Sequence, residues 1–196
     1  ARAGLYDTMR RVIDNGHVRI FLRTKRLAAH RLEVGFSKVT LGIQESVVYG
    51  DRGFEPLYVM PVTFFTAAQN HLENRDNLAI GADISWRPGK GLELYGAWFF
   101  DDLAKLSPSA FSNKFGLQMG LFWVDPLALE DTDIRAEYVR LEPFVYSHNF
   151  DINTYEHYDT LLGHSIGPNA DLWHLNVSHR LSTWVTVSAM FKRERQ

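Results

Sequence analysis

The chain has 196 residues, with 21 Lys and Arg against 23 Asp and Glu, for a formal net charge of −2. Scattered basic residues at near-neutral charge leave no footprint for nucleic acid, and the lack of cysteine excludes disulfides and thiolate metal sites. No apolar run approaches the roughly 18 residues of a membrane-crossing helix, but a mean hydropathy of −0.21 averages over alternating patterns and is blind to a transmembrane barrel.

Ala1 is preceded by neither Met nor a basic region ahead of an apolar core. The sequence therefore reads as lacking a signal peptide: a cytosolic protein, a processed one or a fragment. Residues 1–16 form a lead-in, and "GLYDTMRRVID" (4–14) predicts a short helix within it. Weak or mixed period-2 patterns predict strands near 17–25, 29–36, 39–48 and 57–68, with a first tight hairpin at Ser37-Lys38. "LAIGADISW" (78–86) is cleaner. Leu78, Ile80, Ala82, Ile84 and Trp86 alternate with Ala79, Gly81, Asp83 and Ser85, predicting a strand over 77–87 with an apolar and a wet face. In 91–101, Leu92, Leu94, Trp98 and Phe100 oppose Glu93, Tyr95 and Asp101. Residues 102–111 predict a turn or two of helix in a loop, with Asp102 as its cap. A strand follows over 114–124, where Phe115, Leu117, Met119, Leu121 and Trp123 share one side. The pattern over 133–147 loses phase around Arg140–Pro143, as a bulge would cause. A long link over 148–170 precedes strands at 171–181 and 183–193. About ten strands, averaging near eleven residues, make one all-β domain spanning 1–196, and such strands are long for a soluble sheet.

Two features predict that the apolar faces meet lipid in an antiparallel transmembrane β-barrel. All five tryptophans lie near strand ends, where an apolar ring with a water-seeking N–H suits an aromatic girdle. Trp86, Trp123 and Trp184 fall at one rim and Trp98 and Trp173 at the other. Short joints at 87–91, 125–132 and Leu181–Ser182 also alternate with long links at 102–113 and 148–170, as outer-membrane barrels arrange them. Two features run against the pattern. The Ser37-Lys38 hairpin would put a tight turn at the loop rim, and Trp184 shares its parity with Thr186 and Ser188.

The wet face would carry Arg31, Glu33, Asp83, Arg87, Glu93, Asp101, Arg135, Glu137, His174 and Arg180. These either contact sugars or ions in a polar lumen or simply match one another's charge in a wet interior. Asp101 and Asp102 point to opposite faces of a strand, so they do not converge as an acid/base pair. His174 and His179 also face opposite sides. His148, His157 and His164 lack tight ligand spacing, and His164-Ser165 lacks the geometry of a nucleophile with its base. The expectation is no enzyme, no metal and no cofactor. The stretch "NFDINTYEHYDTLLGHSIGPNAD" (149–171) combines Asn153, Tyr155, His157, Tyr158 and Asp159, with Tyr146 just before it. Tyrosine rings stack on sugar C–H faces while Asn and Asp bind hydroxyls. That composition suits carbohydrate, and it suits an ordinary extracellular loop nearly as well.

Four stretches carry a resemblance: "HRLEVGFSKVTLGIQESVVYGDRG" (30–53), "LYVMP" (57–61), "DNLAIGADISWRPGKGLELYGAWFFDD" (76–102) and "LGHSIGPNADLWHL" (162–175). In order and spacing the sequence resembles the capsule-assembly outer-membrane family, the Wzi-like proteins. The resemblance implies a many-stranded barrel in the bacterial outer membrane that retains or organises surface polysaccharide without catalysis. It implies as partners lipid, polysaccharide and other envelope proteins. Family members are considerably longer, so the chain would be part of a larger barrel, consistent with a "FKRERQ" ending that lacks a terminal aromatic. The alternatives are a diffusion channel and a structural subunit of a larger envelope complex.

Overall fold

The computed structural model describes residues 2–14, 17–60, 64–65, 76–102, 114–157 and 160–196, and for 2–22 and 102 the backbone alone. Nine strands form one sheet in chain order: β1 (Arg2–Asp14), β2 (His17–Gly35), β3 (Val39–Gly50), β4 (Asn77–Gly89), β5 (Leu92–Asp102), β6 (Lys114–Val124), β7 (Thr132–Leu141), β10 (Ala170–Arg180) and β11 (Thr186–Arg195). Two short strands, β8 (Glu156–His157) and β9 (Thr160–Leu161), pair with each other in the β7–β10 connection. This all-β antiparallel meander is the connectivity of an up-and-down barrel wall.

Four expectations change. Residues 4–14 are strand, not helix: β1 pairs with β2 from Arg2↔Ala28 to Asp14↔His17. Leu5, Met9 and Ile13 have helical spacing, but a neighbouring strand offers a ladder, and long-range pairing overrides a local preference. The 17–25 and 29–36 strands are one strand of 19 residues. Of the 57–68 strand, the described residues form no strand. Pro56–Tyr58 is a 3-10 turn with Pro at its start, while 61–63 and 66–68 lie outside the described residues. Finally, β7 ends at Leu141 without a bulge, because Phe144 and Tyr146 take positive φ (67° and 74°) and carry the chain off the sheet. The helical turn expected within 102–111 lies outside the described residues beyond Asp102, which closes β5.

Losing the 57–68 strand removes one inconsistency. With β3 joined directly to β4, the joints 36–38, 90–91, 125–131 and 181–185 all fall at one end of the strands, and 51–76, 103–113 and 142–169 at the other, together with the short β1–β2 joint. Trp86 and Trp123 then lie near the short-joint end and Trp98 and Trp173 near the other, while Trp184 sits in the 181–185 joint itself.

The chain divides into two compact units, 1–31 with 44–80 and 146–165, and 32–43 with 81–145 and 166–196. In the second unit, pairing sorts side chains into rows. Leu94, Leu121, Ala136, Leu175 and Phe191 stand opposite one another across five strands on one side. Tyr95, Gly120, Glu137, His174 and Lys192 form the next row on the other side. The apolar side is exposed at Met119, Trp173, Leu175 and Phe191, so it is not a packed interior. In the first unit, Ala28, Val47, Tyr49, Tyr58 and Phe65 form a core, with Leu57 and Leu78 packed against it. Tyr58 lies 5.2 Å from Tyr49 and 5.3 Å, edge-on, from Phe65.

Candidate functional site

Strand β2 explains why a site forms beside it. At about 3.3 Å per residue its 19 residues reach roughly 60 Å, about twice the thickness of a bilayer hydrocarbon core. The surplus must be covered on both sides. Residues 51–60 and 64–65 cover one side, that of Ala28 and Val47, and the β7–β10 connection covers the other, that of Arg23 and Lys25.

The second cover is held by charge and shape. Arg23 grips the Asp51 carboxylate through Nε (2.9 Å) and Nη2 (2.5 Å), and its Nη1 donates to Asp151 at 2.8 Å. Lys25, fully buried, lies 3.4 Å from the Thr154 hydroxyl. The Tyr155 hydroxyl donates to Ser46 Oγ at 3.1 Å. Ile152, also buried, lies against Gly50 so closely that a β-carbon there would meet its Cγ1. Tyr146 and Tyr155 stack at 5.8 Å, and the Tyr146 hydroxyl accepts the His164 N–H at 2.9 Å. Apart from Arg23–Asp51, each contact joins the connection either to β2 and β3 or to itself, so much of a 28-residue link (142–169) is held without long strands.

Of the residues predicted to meet sugar, Tyr146 and Asn153 are buried, and they shape the loop from within. Tyr155 and His157 are half-exposed, while Tyr158 and Asp159 lie outside the described residues. Sequence reasoning missed Arg23, Lys25, Ser46 and Asp51, which do the holding. The alternation in "RTKR" (23–26) would have extended the polar side of β2 to Arg23 and Lys25. It also missed Phe144 and Phe150, both exposed aromatics of the same connection, with Phe150 5.7 Å from His148.

The predicted wet face is brought together in part. Tyr95 donates to Glu137, and His174 Nδ1 stands 4.0 Å from the same carboxylate. Ser85 donates to Glu93 at 2.5 Å, with Arg87 3.8 Å from that carboxylate, and Arg135 lies over the Phe122 ring at 5.4 Å. Arg180 sits near the strand end, 3.8 Å from Asp131. Asp101 is buried, and Arg31, Glu33 and Asp83 engage other partners. Among the described residues no group of three His, Asp or Glu side chains is placed to hold a metal ion.

Tyr95 reaches Glu137 by lying across Gly120, where an added β-carbon would sit 2.6 Å from the tyrosine oxygen. Gly120→Val should therefore evict the ring and destabilise the wall by about 1–3 kcal/mol. Denaturation of the single and Gly120→Val/Tyr95→Ala variants checks this: the double variant should recover part of the loss, and strictly additive effects would refute the contact.

The family model for the capsule assembly protein Wzi matches residues 22–196. The chain belongs to the Wzi capsule assembly family. No curated protein and no solved structure gives a significant match. The Wzi match takes in all of β3 to β11 and β2 from Leu22 onward, so both covers of the β2–β3 ribbon and the charged rows lie inside family sequence. Membership assigns a capsule-related function, and the antiparallel wall suits an outer-membrane barrel.

Proposed function

We propose that this chain is part of a non-catalytic outer-membrane barrel that holds capsular polysaccharide through the connection between β7 and β10. The observation that carries the reading is the anchored state of that connection: Arg23, Lys25, Ser46 and Gly50 fix its inner side. A surface held in advance binds a chain of sugars at lower entropic cost than a floppy one. Phe150, Tyr155, His157, Tyr158 and Asp159 are the proposed contacts, with rings for sugar faces and polar groups for hydroxyls. Lipid meets the apolar rows and the sugar meets the loop. No part of the proposal requires an acid, a base or a nucleophile.

The test keeps both strands whole. Replacing 148–164 by a short Gly-Ser linker should abolish polysaccharide retention on cells, while the barrel still inserts and runs heat-modifiably on gels. Undiminished retention would overturn the reading. Glu93 and Arg135 in one row and Glu137 and His174 in the next, on the same side of the wall, favour a second reading, a solute channel with a charged lumen. Steady planar-bilayer conductance that changes ion selectivity in Glu137→Gln would support the channel over the polysaccharide anchor.

A further inference from the structure

Sides alternate along a strand, so on β2 the side bearing Ala28 and His30 next bears Leu32 and Val34. Leu32 is 66 % exposed, and Val34, next on that side, is exposed too. On β4 the side bearing Leu78 later bears Ile84 and Trp86, both exposed. Segment 51–65 packs on the Ala28, Val47 and Leu78 side, the side that becomes lipid-facing along both strands. Its Leu57, Tyr58 and Phe65 turn inward to that core. Its Phe54 (50 %), Val59 (54 %), Met60 (49 %) and Phe64 (73 %) turn outward.

A loop that is apolar on both sides is costly in water, because four large side chains within eleven residues keep most of the hydration penalty that burial would relieve. Several polar groups at the segment are matched. Arg52 pairs with Asp76, which also accepts the Tyr58 hydroxyl at 2.6 Å, and Glu45 accepts the Phe65 N–H at 2.8 Å. A matched pair tolerates a low-dielectric surrounding that an isolated charge does not.

We infer that residues 54–60 and Phe64 form an interfacial anchor, seating Phe54, Val59, Met60 and Phe64 in the headgroup–acyl boundary of the bilayer beside the wall. The occupant is lipid because the side it continues is the lipid-facing one. The inference rests on the outer-membrane reading above, and its test separates the two. The chain has no cysteine, so single cysteines take a fluorophore without background. Met60→Cys, Phe64→Cys, Ile43→Cys on the apolar wall and Lys90→Cys in the short turn would carry an NBD label, in phosphatidylcholine vesicles with a nitroxide high on the acyl chain. Labels at Met60 and Phe64 should be quenched severalfold more than at Lys90. Quenching at Ile43 but not at Met60 or Phe64 would overturn the anchor alone. No quenching at Ile43 would overturn the membrane reading and the anchor with it. Labels at Met60 and Phe64 that are shielded yet unquenched, and that become water-exposed on dilution to one protein per vesicle, would assign the patch to a second copy and also overturn the anchor.

Discussion

Gly50→Val should release the β7–β10 connection from the sheet while leaving the sheet intact. The new β-carbon would meet Ile152 Cγ1 and lie 3.1 Å from the Thr24 carbonyl. That carbonyl cannot retreat, since it accepts the Asp51 N–H at 2.9 Å just beyond the end of β3, so Ile152 must leave. Overpacking of this kind costs about 1–3 kcal/mol, which raises the opened population of the segment by roughly 5- to 150-fold. Hydrogen exchange over 150–157 should accelerate by that factor with β5 to β7 unchanged, and polysaccharide retention should fall in parallel. Gly50→Val/Ile152→Ala should restore part of the protection, because the two changes share one contact. Unchanged exchange in the single variant would mean that Ile152 does not hold the loop.

Asp76→Ala should undock the other cover. Asp76 is buried, and it accepts from Tyr58 and pairs with Arg52. Its removal takes the buried Tyr58 hydroxyl's carboxylate acceptor and the Arg52 counter-charge together, a loss of about 2–4 kcal/mol, held below the buried-pair maximum because Arg52 keeps some water and its place over the Tyr49 ring. Trypsin cleavage after Arg52 should quicken at least tenfold. Asp76→Asn, which retains an acceptor for Tyr58, should quicken it less, and equal rates in the two variants would count against the hydrogen bond. Burial first, and then the Asp76 carboxylate, push the Tyr58 hydroxyl above the usual phenol range. A phenol raised in the folded state contributes stability that is present below its unfolded pKa of about 10 and is lost as pH climbs through the folded value. Docking of this cover should therefore weaken only in strong alkali.

Strands with clean alternation were legible because one side is apolar and the other wet. Leu78 to Trp86, Phe115 to Trp123 and Trp173 to Leu181 each lie in or beside the strand expected, and the antiparallel registers place Glu93, Arg135, Glu137 and His174 on the side their parity assigns. Segments that answer to distant partners were not legible. Residues 4–14 have helical spacing but find a ladder in β2. Residues 57–68 carry only a weak or mixed strand pattern, and Leu57, Tyr58 and Phe65 pack on the face of the sheet instead of joining it. Tyr146 looked like a sugar contact because its ring suits one, and nothing local shows that Tyr155 stacks on it and that it is buried.

The sequence by itself determined the all-β class, the two unlike faces of the wall and the place of the tryptophans near strand ends, since each follows from a period of two along one strand. Tertiary structure alone decided that β2 outruns the other strands and that one loop covers each of its sides. It also decided that Arg23, Lys25 and Gly50 hold the connection proposed to meet the polysaccharide. Those contacts join residues more than a hundred positions apart. Which of many compatible side chains meets them is set by sheet register and loop closure, and neither leaves a periodic trace in the chain.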